Sequence, residues 1–209
     1  MPQTAETESK LIQAYGIFLF ENDHPTVKEL EEAYVPSVHG HKTWDSSFLI
    51  MDYLLHKHLL KPKKKVMELG CGWGPASVFC AENSGAKVTG VDLDEDVFPF
   101  FQAQAEINRV KVKTLRKSFQ QLKKAEFAKF DLVFGADICF WDSLTPIHFK
   151  LIKRALKAGV KDIIFADPGR SPFYELVELC QKHFQAEYLD WYSVEPEKFE
   201  GYILHIKNS

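Results

Sequence analysis

From residue 65 onward, short apolar runs alternate with longer amphipathic stretches, and that alternation predicts a parallel sheet flanked by helices. The apolar runs place strands at 66–69, 87–91, 110–115, 131–136 and 162–166, and two more near 185–192 and 201–206. Helical spacing fills the gaps at 76–82, 98–108, 144–157 and 172–183. Pro99 fixes the start of one of these helices and Gly159 closes another. The stretch 119–129 is polar and at most a short helix. The turn 193–199 joins the last two strands and predicts an antiparallel hairpin. The expected fold is therefore α/β: a doubly wound, seven-stranded, mostly parallel sheet with an antiparallel C-terminal hairpin.

Before residue 65 the pattern is different. Pro25 to Tyr34 predicts a helix, with Pro25 in its first turn and Asp23 or His24 as cap. Ser46 to Leu60 predicts a second, with Phe48, Leu49, Met51, Leu54 and Leu55 on its apolar side. Lys61 to Lys65 is a basic linker. The expected division is a helical extension or lid over 1–60 and a ligand-binding domain over 61–209, forming one globular unit.

Composition narrows the classes. A chain of 209 residues suffices for one α/β domain with a sizeable core. The net charge of -3 gives no bulk electrostatic case for nucleic acid or an anionic membrane. Cys71, Cys80, Cys139 and Cys180 are scattered without metal spacing and read as reduced thiols, which fits a cytoplasmic protein. The polar, acidic start carries no targeting pattern, and no apolar run approaches the ~18 residues of a membrane span.

The candidate chemistry sits where the first predicted strand ends. Val66-Met67-Glu68-Leu69 runs into Gly70-Cys71-Gly72-Trp73-Gly74-Pro75, and a helix follows at once. Glycines there let a ligand approach the backbone, and the helix start offers free N–H groups. About twenty residues on, the next strand ends in Asp92, where such folds place a carboxylate for ribose hydroxyls. A dinucleotide fingerprint needs its third glycine three places after the second, but Pro75 stands there. Glu68 would also repel a pyrophosphate and attract an ammonium. S-adenosylmethionine (SAM) has an ammonium, a sulfonium and a ribose but no phosphate, so this pattern fits SAM better than NAD. It resembles the first and second motifs of class I methyltransferases. Tight strand–helix packing alone is the alternative reading of the three glycines.

Further candidates follow from the same topology. Ser118 and Phe119 follow the third strand, where the resemblance to class I methyltransferases implies residues around the adenine, although Phe119 equally suits a core. The fourth strand ends in Asp137, with Phe140 and Trp141 close behind, where a methyl acceptor should approach. Asp137 is a candidate to orient an acceptor amine or take its proton; a structural cap is the alternative. Trp44 is a candidate wall of the cofactor pocket or a core residue. Trp73, inside the glycine loop, is expected to stay partly exposed, shielding the cofactor or packing on the N-terminal helices. His39 and His41 lack the further ligands a metal site needs, and no metal is expected. The basic runs 61–65 and 109–117 read as solvated faces.

From about Thr43 to the end of the helix at 172–183, the chain resembles the family 16 group of seven-strand methyltransferases. This Rossmann-like group contains many protein-lysine methyltransferases, among them those acting on the electron-transfer-flavoprotein β-subunit. Trp44-Asp45-Ser46-Ser47, Met67 to Gly74, Asn108, Gly135-Ala136-Asp137-Ile138-Cys139-Phe140 and Ala166-Asp167-Pro168-Gly169-Arg170 carry the likeness. The last is similar to a DPGR segment of the flavoprotein-directed branch. The family's D-x-x-Y after the fourth strand has Phe140 in its last place here. The resemblance implies methyl transfer from SAM to a nitrogen, foremost a protein lysine, with the acceptor protein as partner. A small-molecule N- or O-methyltransferase and a non-catalytic SAM-binding module are the alternatives.

Overall fold

A computed structural model describes residues 10–37 and 39–208. Two short strands, β1 (Leu11–Ala14) and β2 (Ile17–Phe20), open it, followed by α1 (Pro25–Ala33) and α2 (Ser46–His56). The alternating part runs β3 (Lys65–Leu69), α3 (Pro75–Ser84), β4 (Lys87–Asp92), α4 (Phe98–Ile107), β5 (Val112–Arg116), α5 (Lys124–Phe127) and β6 (Leu132–Ala136). It continues with α6 (Thr145–Lys157), β7 (Asp162–Asp167), α7 (Ser171–His183), β8 (Gln185–Ser193) and β9 (Phe199–Lys207).

The main sheet has seven strands in the order β5-β4-β3-β6-β7-β9-β8. Strands β3 to β7 are parallel, β9 runs antiparallel between β7 and β8, and β8–β9 is the expected hairpin. Strand order reverses at β3, with β4 on one side and β6 on the other. Right-handed crossovers open a crevice outside the carboxyl ends of the strands at such a point. Alternate residues of each strand serve opposite faces. Val66 packs with Phe48, Phe79 and Phe101 under α2, α3 and α4. Met67 packs with Leu151, Phe173 and Leu176 under α6 and α7.

The N-terminal segment departs from the helical expectation, because a β-hairpin precedes α1. Ala14 faces Ile17, leaving Tyr15 and Gly16 as a two-residue loop with φ of 50° and 81°. Positive φ at both positions is the primed turn that suits strand twist. Asn108, just past α4, holds the hairpin by accepting from Phe18 N–H at 2.8 Å and donating to its carbonyl at 2.7 Å. Ile17 and Leu19 are fully buried, worth about 1.5–3 kcal/mol each. The helix α2 is shorter than expected, ending at His56, and is buried along most of its length. Among the described residues no helix is long and apolar enough to cross a membrane.

Candidate active site

The carboxyl ends of β3, β4 and β6 form the floor of a cavity of about 510 Å³. Of the residues expected at the site, Trp44, Glu68, Gly70, Gly72, Asp92, Ser118, Phe119, Asp137, Phe140 and Trp141 all line it. Gly74 does not. A Cβ at Gly74 would overlap the Phe101 ring of α4, and its φ is 64°. Close packing against Phe101 therefore requires glycine at this position. Gly72 is the converse case: its φ is 49° and a Cβ there would meet nothing within 4 Å. That open space is what a ligand lying against the loop requires.

Trp73 packs with Val27 of the N-terminal helix α1, as expected, but is not partly exposed. It is 1% exposed, stacks on Phe100 at 5.1 Å, and donates Nε1–H to the Gly40 carbonyl at 2.9 Å. The glycine loop is thereby fastened to the segment that precedes α2, and Trp73 acts as a bolt between the two.

Two acids stand at the cofactor end. Glu68 is buried, and burial pushes its carboxyl up to about 8, reinforced by the charge of Asp92 and opposed by the Ser77 hydroxyl and N–H. The Ser77 N–H, in the first turn of α3, donates to Glu68 Oε2 at 3.2 Å. Asp92 accepts from the Gly72 N–H at 3.1 Å and from the Asp94 N–H at 3.1 Å. Burial raises its carboxyl above the ordinary range, and these N–H groups work against that rise. Asp94 is engaged elsewhere, accepting from the Ser37 hydroxyl at 2.7 Å.

Phe119, Ile138, Leu144 and Ile147 give the cavity an apolar stretch of lining. Phe119 is fixed from behind by His148, whose ring meets it edge-on at 5.0 Å. His148 is fully buried, and burial lowers it to about 4, so it stays neutral at physiological pH. The Ser118 N–H donates to Gln121 Oε1 at 2.9 Å, shaping the turn after β5.

The cavity lining also carries Asp137 and a group of rings. Asp137 takes a left-handed backbone (φ 59°), its N–H donates to the Ala166 carbonyl at 2.9 Å, and its carboxylate pairs with Arg170. Beside it His39 lies 4.9 Å from Phe140 and 5.6 Å from Trp44, while Phe140 and Trp141 are 5.3 Å apart. Trp44 donates Nε1–H to the His39 carbonyl at 2.8 Å, and Lys42 Nζ lies 4.3 Å from the Trp44 ring centre. Trp141 remains 50% exposed at the mouth. Sequence reasoning missed His39 as a wall residue, and missed Ser47, Leu93 and Ile147. Of these, only Ser47 lay in a quoted motif; the others are brought in by the fold. Among the described residues no group of His, Cys, Asp or Glu could hold a metal ion.

These features fit SAM. The open face of Gly72 and the carboxylate of Asp92 suit the ribose side, the apolar stretch suits adenine, and buried Glu68 suits the ammonium.

Comparison with known proteins agrees. A family described as methyltransferase domain matches residues 66–159. The chain is 34% identical over 136 residues to a histidine protein methyltransferase 1 homolog of Dictyostelium discoideum, covering 61% of this chain and 43% of that one. It is 30% identical over 113 residues to a phosphoethanolamine N-methyltransferase of Triticum aestivum (54% and 22%). It is 22% identical over 130 residues to the electron transfer flavoprotein beta subunit lysine methyltransferase of Xenopus laevis (62% and 52%). The chain thus spans about half or less of the length of these relatives. Among solved structures, TrmN from Thermus thermophilus shares the fold with a TM-score of 0.61 at 14% identity, over 76% of this chain and 48% of that one. Strand order, glycine loop and acidic strand end converge with these matches: residues 66–159 match a methyltransferase domain, and the sheet around them has the Rossmann-like methyltransferase fold.

Proposed function

We propose that this protein methylates a nitrogen, and that the acceptor is a lysine side chain of a protein. The observation that carries the reading is the Asp137 carboxylate set at the cavity wall among His39, Trp44, Phe140 and Trp141. SAM, when bound, supplies an activated methyl group on a sulfonium. The protein's task is then to align the acceptor and exclude water, and such positioning is worth roughly 7–11 kcal/mol.

Glu68 and Asp92 hold the cofactor at one end, leaving the acceptor to enter at the other. Aromatic faces attract an ammonium by about 0.5–2 kcal/mol each. The same apolar walls lower the lysine pKa, so the amine sheds its proton more readily. Phe140 offers no hydroxyl, which leaves Asp137 as the group that orients the amine or receives its proton. The half-exposed Trp141 marks a mouth that a long side chain on a large substrate can reach. The segment 39–44, bolted down by Trp73, serves as the cover over the cofactor. The matched relatives named above act, by their names, on histidine, lysine or an ethanolamine nitrogen, which supports nitrogen as the acceptor atom.

Incubation with methyl-tritiated SAM and a cell lysate, followed by separation into protein, RNA and small-molecule fractions, tests the reading. Label in protein as N-methyl-lysine supports it. Label confined to small molecules would establish the metabolite alternative. SAM binding without transfer to any fraction would leave the non-catalytic alternative.

A further inference from the structure

Arg170 lies outside the cavity wall, yet it meets two carboxylates that share no sequence neighbourhood. Its NH1 donates to Asp167 Oδ2 at 2.9 Å, and its NH2 pairs with Asp137 Oδ1. Asp167 ends β7 and is fully buried; Asp137 follows β6 and is 5% exposed. The chain is shaped to make this contact. Asp167 Oδ1 accepts from the Gly169 N–H at 2.9 Å and the Arg170 N–H at 2.8 Å, closing a tight turn after β7. Gly169 adopts φ 107°, and a Cβ there would lie 2.7 Å from the Tyr202 ring and 2.8 Å from the Tyr174 hydroxyl. Only glycine lets that turn fit under the tyrosines and aim Arg170 back across the strand ends. Asp137, for its part, holds a left-handed backbone that non-glycine residues seldom adopt.

We infer that Arg170 is a positioning residue: it fixes Asp137 in this unusual conformation, and with Asp167 it forms a unit of two buried carboxylates and one partly exposed guanidinium whose single excess negative charge faces a cationic acceptor amine. The inference deepens the proposed function and rests on it. Two buried acids beside one cation leave one charge uncompensated, and burial makes that charge costly unless a further cation approaches. The ordinary remedy, a second arginine or lysine, is absent among the described residues: Arg170 is the one cation paired with either acid. The electrostatic vacancy therefore belongs to the substrate. The planar fork of arginine spans both carboxylates, whereas a lysine ammonium is a point charge. Arg170 is thus the part of the unit that sets direction, and Asp137 is the part exposed to the pocket.

The test uses two cofactor analogues, so no acceptor need be known. S-adenosylhomocysteine lacks the methyl group. Sinefungin carries an amine-bearing carbon in place of the methylsulfonium, and so presents an ammonium where the transferred methyl and the acceptor meet. Calorimetry of the full chain should find sinefungin bound at least about tenfold more tightly than S-adenosylhomocysteine, in line with a charged hydrogen bond. In Arg170→Ala that ratio should fall to within about twofold while S-adenosylhomocysteine affinity stays within about threefold. In Arg170→Lys, the safer variant should the alanine fail to fold, the ratio should fall at least about threefold, because one ammonium cannot hold both carboxylates. A purely structural role would lower melting temperature and leave the ratio unchanged, which would overturn the inference. A ratio that rises in either variant would overturn it too, because Asp137 would then keep its place unaided. No preference in the wild type would remove the excess charge from the pocket. Failure of the wild type to bind S-adenosylhomocysteine would instead sink the cofactor reading beneath it.

Discussion

The Gly72 N–H donates to Asp92 Oδ2 at 3.1 Å, joining the loop after β3 to the acid at the end of β4. One carboxylate thus does two things: it restrains the ligand-facing loop and presents its remaining lone pairs to the cavity. Asp92→Ala removes both. A charged hydrogen bond is worth about 1.5–3 kcal/mol, so SAM affinity should fall at least roughly tenfold with the fold retained. Calorimetry that finds unchanged affinity in a folded variant would move the ribose contact away from Asp92. Asp94 would be a poor substitute, since Ser37 already occupies it.

Glu68 links cofactor affinity to pH. Burial holds its carboxyl at about 8, so below that pH the empty site contains a neutral acid. The ammonium of SAM favours the ionised form, so binding should expel a proton, and affinity should climb as pH rises toward about 8, by at most about tenfold per unit. The stability term has the opposite sense. A folded-state value above the unfolded one stabilises the protein at low pH, and that contribution is lost as pH rises from the ordinary carboxylate range through about 8. Glu68→Gln should therefore raise melting temperature above pH 8, by about 2–4 °C per kcal/mol released, while weakening SAM binding. Titrations in buffers of different ionisation enthalpy would show the proton. Binding without proton release at neutral pH would contradict the placement of the ammonium.

The glycines separate by variant. Gly72→Ala adds a methyl group into open space at a positive φ, so the fold should survive at a cost of about 1–2 kcal/mol while SAM binding falls sharply. Gly74→Ala drives a methyl group into the Phe101 ring, so the fold itself should suffer, by about 1–3 kcal/mol or more. Thermal melts alongside ligand titrations distinguish them. Equal losses of stability with equal affinities would show that neither glycine faces the cofactor.

How much of this was legible in the sequence depends on how local the signal is. The glycine loop, Asp92 and Asp137 could be read because each sits at the end of an apolar strand, and strand ends define the rim. The opening hairpin was harder: its strands are four residues each, too short for periodicity to speak. Its one cue was the Tyr15-Gly16 pair. The full burial of Trp73 was missed because its cover, Gly40 and Phe100, comes from distant parts of the chain. The tight fit at Gly74 was equally hidden, since its neighbour Phe101 lies on another helix. The Asp137–Arg170 pair spans two strand ends, and nothing in the run Asp167-Pro168-Gly169-Arg170 states what its arginine will meet.

The central claim is a division of labour: β3 and β4 hold the cofactor, and Asp137 at the end of β6 serves the acceptor. It is tested most directly by measuring methyl transfer from tritiated SAM to lysate protein, for the wild type and for Asp137→Asn, at SAM concentrations matched to each protein's measured affinity. The account predicts N-methyl-lysine as the labelled product, SAM affinity in the variant within a few-fold of the wild type, and transfer cut by on the order of a hundredfold, the usual size of a lost acid–base or orienting group. Full transfer by the folded variant would contradict it, leaving alignment by the aromatic walls as the whole of the catalysis.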